Sequence, residues 1–183
     1  MPQFEQILTP HPAHAPSAIK SVHARVDARD ENWLLLRWRI EGAARLVVPP
    51  LAGRGRVDGL WQTTCFEMFI KPAAGSAYQE WNFSPSQAWA AYSFDDFRAG
   101  MTALTVARAP VVAWRGAASA LRLMDVAVPR ASLLPLPWCY SLTAVLEEEG
   151  GRMSYWAFAH PLGKADFHNP ACFTGRLAAP PAP

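Results

Sequence analysis

The longest organised pattern in the chain runs over residues 60–94, where positions of opposite character alternate with a period of two in three successive stretches. Thr64, Phe66, Met68 and Ile70 interleave with Cys65, Glu67, Phe69 and Lys71, which sends the two sets to opposite faces of one strand, and Pro72 ends the run. Gly75-Ser76 then turns the chain into residues 78–84, where Gln79, Trp81 and Phe83 oppose Tyr78, Glu80 and Asn82. Pro85-Ser86 turns it again into residues 89–94. The pattern predicts a three-stranded meander. Glu67, Glu80 and Asn82 stand among aromatics in it, and carboxylates inside a sheet call for a partner or a ligand.

The same reading extends over most of the chain. Residues 18–26 and 34–40 alternate as strands, the second the cleanest, with Leu34, Leu36, Trp38 and Ile40 on one side and Arg37 and Arg39 on the other. Residues 45–48 predict a short strand before Pro49-Pro50, and residues 51–59 a Gly/Arg loop. Further strands are expected over 102–108, 111–114, 121–128 and 140–146, the last joined to 153–160 by a hairpin at 147–152. About ten strands with frequent turns and no amphipathic helix predict an all-β fold, an antiparallel β-sandwich. Residues 1–17 are expected to form an irregular lead-in, 18–177 the sandwich domain and 178–183 a Pro/Ala tail.

Composition narrows the class. At 183 residues the chain suits one domain, and 51% hydrophobic against 17% charged residues excludes a disordered polypeptide. No apolar run approaches the roughly 20 residues of a membrane-spanning helix, so no membrane partner is expected. A net charge of +2, with the arginines scattered rather than gathered in a stripe, gives no reason to expect nucleic acid. The N-terminal stretch has neither a positive start nor an apolar core, which predicts no secretory signal and a cytoplasmic location. Cys65, Cys139 and Cys172 are odd in number and widely spaced, the pattern of reduced structural thiols rather than of a metal site.

Candidate chemistry is sparse. The chain lacks a Gly-x-Ser-x-Gly elbow, a His-Glu-x-x-His motif, a P-loop and a dinucleotide fingerprint, and no catalytic residue is assigned. Glu67 and Glu80 fall on neighbouring predicted strands and could face each other as glycosidase carboxylates do, or else hydrogen-bond a polar ligand or an arginine. Asp166 and His168 form a second polar cluster. His11 and His14 lie in the Pro-rich lead-in without a third ligand nearby, and no metal is expected there. Eight tryptophans exceed what a core of this size needs, and that excess asks for a role.

Trp61 followed by Glu67 in WQTTCFEMFIKP, the strand YQEWNFSPSQAW, and the ending YWAFAHPLGKADFHNPACFTG together resemble the DOMON-like superfamily, most nearly family 9 carbohydrate-binding modules and their bacterial single-domain relatives. The resemblance implies a sandwich of jelly-roll or immunoglobulin-like form that holds a ligand and catalyses nothing. Position by position it places a sugar-stacking tryptophan on Trp61, a hydroxyl-binding glutamate on Glu67, a polar partner on Asn82 and a second stacking ring on Phe167, where the modules carry Trp. An aromatic plug beside the glycine loop is the competing role for Trp61. Glu80 and His168 complete the candidate ligand-binding set. The expected function is non-catalytic binding of a sugar or sugar-like small molecule, free or as a glycan, through ring stacking and carboxylate hydrogen bonds, with no cofactor. Two alternatives stand beside it. One is b-type haem, as in other DOMON branches, with Met68, Met101, His160 and His168 as available axial donors. The other is a protein partner meeting the same aromatic patch.

Overall fold

The computed structural model describes residues 4–28, 30–116 and 120–179. Within them run twelve strands: β1 (Phe4–Pro10), β2 (Ser21–Asp27), β3 (Trp33–Glu41), β4 (Cys65–Pro72), β5 (Tyr78–Phe83), β6 (Trp89–Phe94), β7 (Thr102–Ala103), β8 (Val111–Arg115), β9 (Leu121–Pro129), β10 (Trp138–Glu148), β11 (Arg152–Ala157) and β12 (Gly175–Leu177). Helix among the described residues is limited to single 3-10 turns. All strand pairs are antiparallel, in the order β7-β6-β5-β4-β10-β11-β1-β2-β3-β9-β8, with β12 beside β10. The result is an antiparallel β-sandwich. One layer is β2, β3, β9 and β8, the other is β4 to β7 with β10 and β11, and β1 belongs to both: Phe4 to Leu8 pair with β2, Thr9 and Pro10 with β11.

Alternation builds the core between the layers. Val22, Ala24, Leu36, Trp38, Met124 and Val126 meet Phe66, Met68, Ile70, Trp81, Phe83 and Leu142, all buried, and the Trp38 ring lies 5.4 Å from that of Phe66. The other positions of the two layers behave differently. On β3 the alternate residues Arg37 and Arg39 are only partly buried, whereas on β4 to β6 and β10 the outward set is Cys65, Phe69, Tyr78, Tyr92, Phe94 and Val145. That set is apolar and must be covered. Phe167, Cys172 and Phe173 of the C-terminal segment cover part of it, forming a second buried cluster on the outside of the sandwich. Gly175 permits the return of the chain to the sheet, because a Cβ there would come within 2.7 Å of the Tyr140 ring.

Three expectations need correction. The lead-in expected over residues 1–17 contains β1, which its sequence conceals: Gln6 pairs with buried Ala24, while Ile7 is 64% exposed, so the hydrophobic signal is inverted. Residues 45–48 are not a strand but follow a 3-10 turn (Ala43–Arg45) and make one bridge, Leu46 to Glu148; Pro49-Pro50 removes the donors a longer ladder would need. The strand expected over 102–108 stops at Ala103, after which Leu104 and Val106 turn in to pack against the core. Within the expected tail, residues 180–183 lie outside the described residues.

Candidate functional site

The outer face of the β4–β6, β10 and β11 layer is not wholly covered. Between the sheet, the loop 95–101 and residues 165–168 remains a pocket of about 450 Å³. Its lining includes the rings of Trp61, Phe69, Tyr92, Phe94, Tyr155 and Phe167 together with Glu67, Glu80, Arg98, Met101, Asp166 and His168. The alternation of β4 and β5 dictates the floor, since Glu67 and Phe69 share a face with Glu80 while Phe66, Met68 and Trp81 point into the core. Trp61 enters from above. It sits in a 3-10 turn (Leu60–Gln62) that starts at Gly59, whose φ of 76° suits glycine, and it remains 45% exposed.

Five of the six sequence candidates line this pocket: Trp61, Glu67, Glu80, Phe167 and His168. Asn82 does not. It is fully buried one step behind, where its Nδ2 donates to Glu80 Oε1 at 2.7 Å, so it fixes the carboxylate rather than facing the cavity. Phe167 is only 8% exposed, its ring at 6.1 Å from Tyr155 and 6.2 Å from His160, which makes it a wall. The two carboxylates are not directly opposed either. The register sets Glu67 against Asn82 and Phe69 against Glu80, so the acids are diagonal neighbours on one face.

Tyr92, Phe94, Tyr155 and Arg98 are among the lining residues that sequence reasoning left out of the set. The three aromatics had a signal: aromatics on both alternating faces of β5, β6 and β11 show that the outer face is also covered. Arg98 adopts a left-handed backbone conformation (φ 51°) in the loop, and its guanidinium reaches Asp166 with 2.7 Å and 3.5 Å contacts that tie the loop to the C-terminal segment.

Tyr78 ties His168 to the loop: the Arg98 N–H donates to Tyr78 Oη at 3.2 Å, and that hydroxyl lies 2.7 Å from His168 Nδ1. His168 Nε2 faces Glu80 Oε2 at 3.6 Å, too long for a hydrogen bond. Burial, with the neighbouring Arg98 charge, holds the imidazole down at about 4, so this contact is not an ion pair at neutral pH. Glu67 is 3% exposed and accepts from Thr143 Oγ1 at 3.0 Å; burial and then the Glu80 charge push its carboxyl up to about 8. Burial also raises Glu80, opposed by its Asn82 bond and by Arg98.

The fold is similar to that of a solved structure, a proposed carbohydrate-binding protein from Bacteroides uniformis, 14% identical, with a TM-score of 0.64 over 96% of this chain and 85% of that one. The likeness is one of fold. No protein-family description matches the chain, and no curated protein does.

Of the four axial donors named for haem, Met101 and His168 line the pocket, while Met68 is buried in the sandwich core on the side away from it. His160 Nε2 lies 2.8 Å from the Thr9 carbonyl, and His168 Nδ1 lies 2.7 Å from Tyr78 Oη. No group of three or more His, Cys, Asp or Glu side chains suited to a metal ion occurs among the described residues.

Proposed function

We propose that the chain is a non-catalytic binding domain for a sugar or sugar-like small molecule, and that the pocket above β4 and β5 is its site. The observation that carries this reading is the half-exposed Trp61 indole over a floor bearing Glu67 and Glu80. A sugar ring presents an apolar face to an indole and hydroxyls to acceptors and donors, and both halves of that recognition stand here. The Glu67 and Glu80 carboxyl groups supply the hydrogen-bonding floor for the hydroxyls. The DOMON-like resemblance of residues 60–94 supports the reading, as does the proposed carbohydrate-binding class of the structural neighbour. A pocket of about 450 Å³ suits a small glycan or metabolite rather than a broad polymer surface. The protein-partner alternative is less favoured because most of the rings are recessed.

A thermal-shift screen over mono- and oligosaccharides and polyols tests the proposal, because a ligand bound only by the folded state raises the melting temperature. Calorimetry with the hit should show Trp61→Ala and Glu67→Gln each weakening binding at least about tenfold, or roughly 1.4 kcal/mol. Undiminished binding by Trp61→Ala would move the site elsewhere.

A further inference from the structure

The pocket is unusual in its balance of charge. Six aromatic rings surround three carboxyl groups and one cation, and the cation is already engaged: Arg98 holds Asp166 through both Nε and Nη2. What remains are the two floor acids. Glu67 Oε2 accepts from Thr143 and Glu80 Oε1 accepts from Asn82, but Glu67 Oε1 receives no hydrogen bond among the described residues, and Glu80 Oε2 has only His168 Nε2 at 3.6 Å. Two buried carboxyls are costly to ionise; Arg98, shared with Asp166, offsets that cost only in part, and a cation entering between them offsets more of it. Aromatic faces around the same space attract a cation as well.

We propose, building on the sugar-binding reading above, that the preferred ligand carries an ammonium group and that Glu67 and Glu80 receive it: an amino sugar or a polyol amine of similar size. The ring stacks on Trp61 and the ammonium descends to the floor. Entry of the cation favours the ionised form of Glu67, so binding at pH 6.5 expels its proton to solvent. The charged and titratable groups facing Glu67 are Glu80 from β5 and Arg98 from the loop, with Cys65 beside it on β4; His168 and Asp166 close the site from the C-terminal segment. Of these Arg98 is shared with Asp166, and the proton that moves is the one held by the Glu67–Glu80 pair.

The test is calorimetry at pH 6.5, where a primary amine with a pKa near 8 is charged. Glucosamine, galactosamine and mannosamine are compared with glucose, galactose and mannose in phosphate and in MES, two buffers of different ionisation enthalpy that carry no polyol amine. At least one amino sugar is expected to bind tenfold or more tighter than its neutral parent. Its apparent enthalpy should differ between buffers as release of up to one proton requires. The preference should fall to within about threefold in Glu67→Gln/Glu80→Gln, whose folding is verified by its melting curve. Because the first comparison uses the unaltered protein, failure of that variant to fold leaves the ligand preference decisive. Equal or tighter binding of the neutral sugars overturns the ammonium inference and leaves sugar binding standing, as does binding of some other glycan while every amino sugar is silent. Silence across the whole glycan screen overturns both.

Discussion

A carboxyl held away from water resists ionising, and this makes Glu67 visible in the stability of the protein. Its folded value near 8 lies above the ordinary carboxylate range, so between about pH 4.5 and 8 the folded state keeps a proton that the unfolded chain has released. The contribution to stability is full below the lower limit and is lost as pH rises through the upper one. His168 works in the opposite direction: held near 4, it stays neutral while the unfolded chain takes up a proton, and stability falls as pH drops from 6.5 towards 4. From pH 6.5 to 8 the acids act unopposed by His168. Melting curves should therefore show Glu67→Gln gaining on the parent as pH rises, with little difference near pH 5 and the largest near pH 8.5; a constant difference would place Glu67 in water. The thiols give a second residue-scale prediction. Cys65 and Cys172 are buried, and burial pushes the Cys172 thiol up to about 12 and that of Cys65 up as well. A thiol reagent should titrate three cysteines in the denatured, non-reduced protein but react rapidly with Cys139 alone in the folded one.

At the scale of elements, the site has its floor on β4 and β5, walls from β6, β10 and β11, and three segments crossing above: the turn at Trp61, the loop 95–101 and residues 165–168. The strands were legible in the sequence because their alternation is tied to burial: Phe66, Met68, Trp81 and Phe83 must point one way, which forces Glu67 and Glu80 the other. The crossing segments were not, since nothing periodic marks a loop, and the tie between Arg98 and Asp166 spans 68 residues. β1 escaped notice for a related reason, its outward Ile7 and inward Gln6 reversing the usual signal. The pairing of Glu67 and Glu80 stayed open for another reason, because a one-sequence pattern specifies faces but not which residues oppose each other. The Arg98–Asp166 tie predicts a local effect. Its arginine is half exposed, and such a pair is worth about 0–1 kcal/mol, so Arg98→Ala should leave global stability nearly unchanged. Yet it also frees the C-terminal segment over the pocket, and hydrogen exchange at residues 166–168 should accelerate while the amides of β4 and β5 keep their protection.

At the scale of the whole molecule, the sandwich separates its two aromatic populations by layer: one fills the core between the sheets, the other lines a pocket outside it. Trp38 and Trp61 represent the two, and they should fail in opposite ways. Trp38 is fully buried, packed 5.4 Å from Phe66 and 6.3 Å from Phe83. Truncating it leaves a cavity among side chains from both layers, and such large-to-small changes cost about 3–5 kcal/mol. For a chain of this length each kcal/mol lowers the melting temperature by roughly 2–4 °C. Trp38→Ala should therefore melt well below the parent and, wherever it remains folded, bind ligand with unchanged affinity, because no wall of the pocket touches the indole. Trp61 is nearly half exposed on a one-turn helix at the rim, so Trp61→Ala removes little buried surface. Its melting temperature should stay within a few degrees of the parent in the absence of ligand, and the upward shift produced by the ligand should shrink. Measuring both variants with and without ligand crosses the two effects. A Trp61→Ala protein that loses as much stability as Trp38→Ala would identify the indole as a plug that holds the glycine loop in place, and the stacking role would fall.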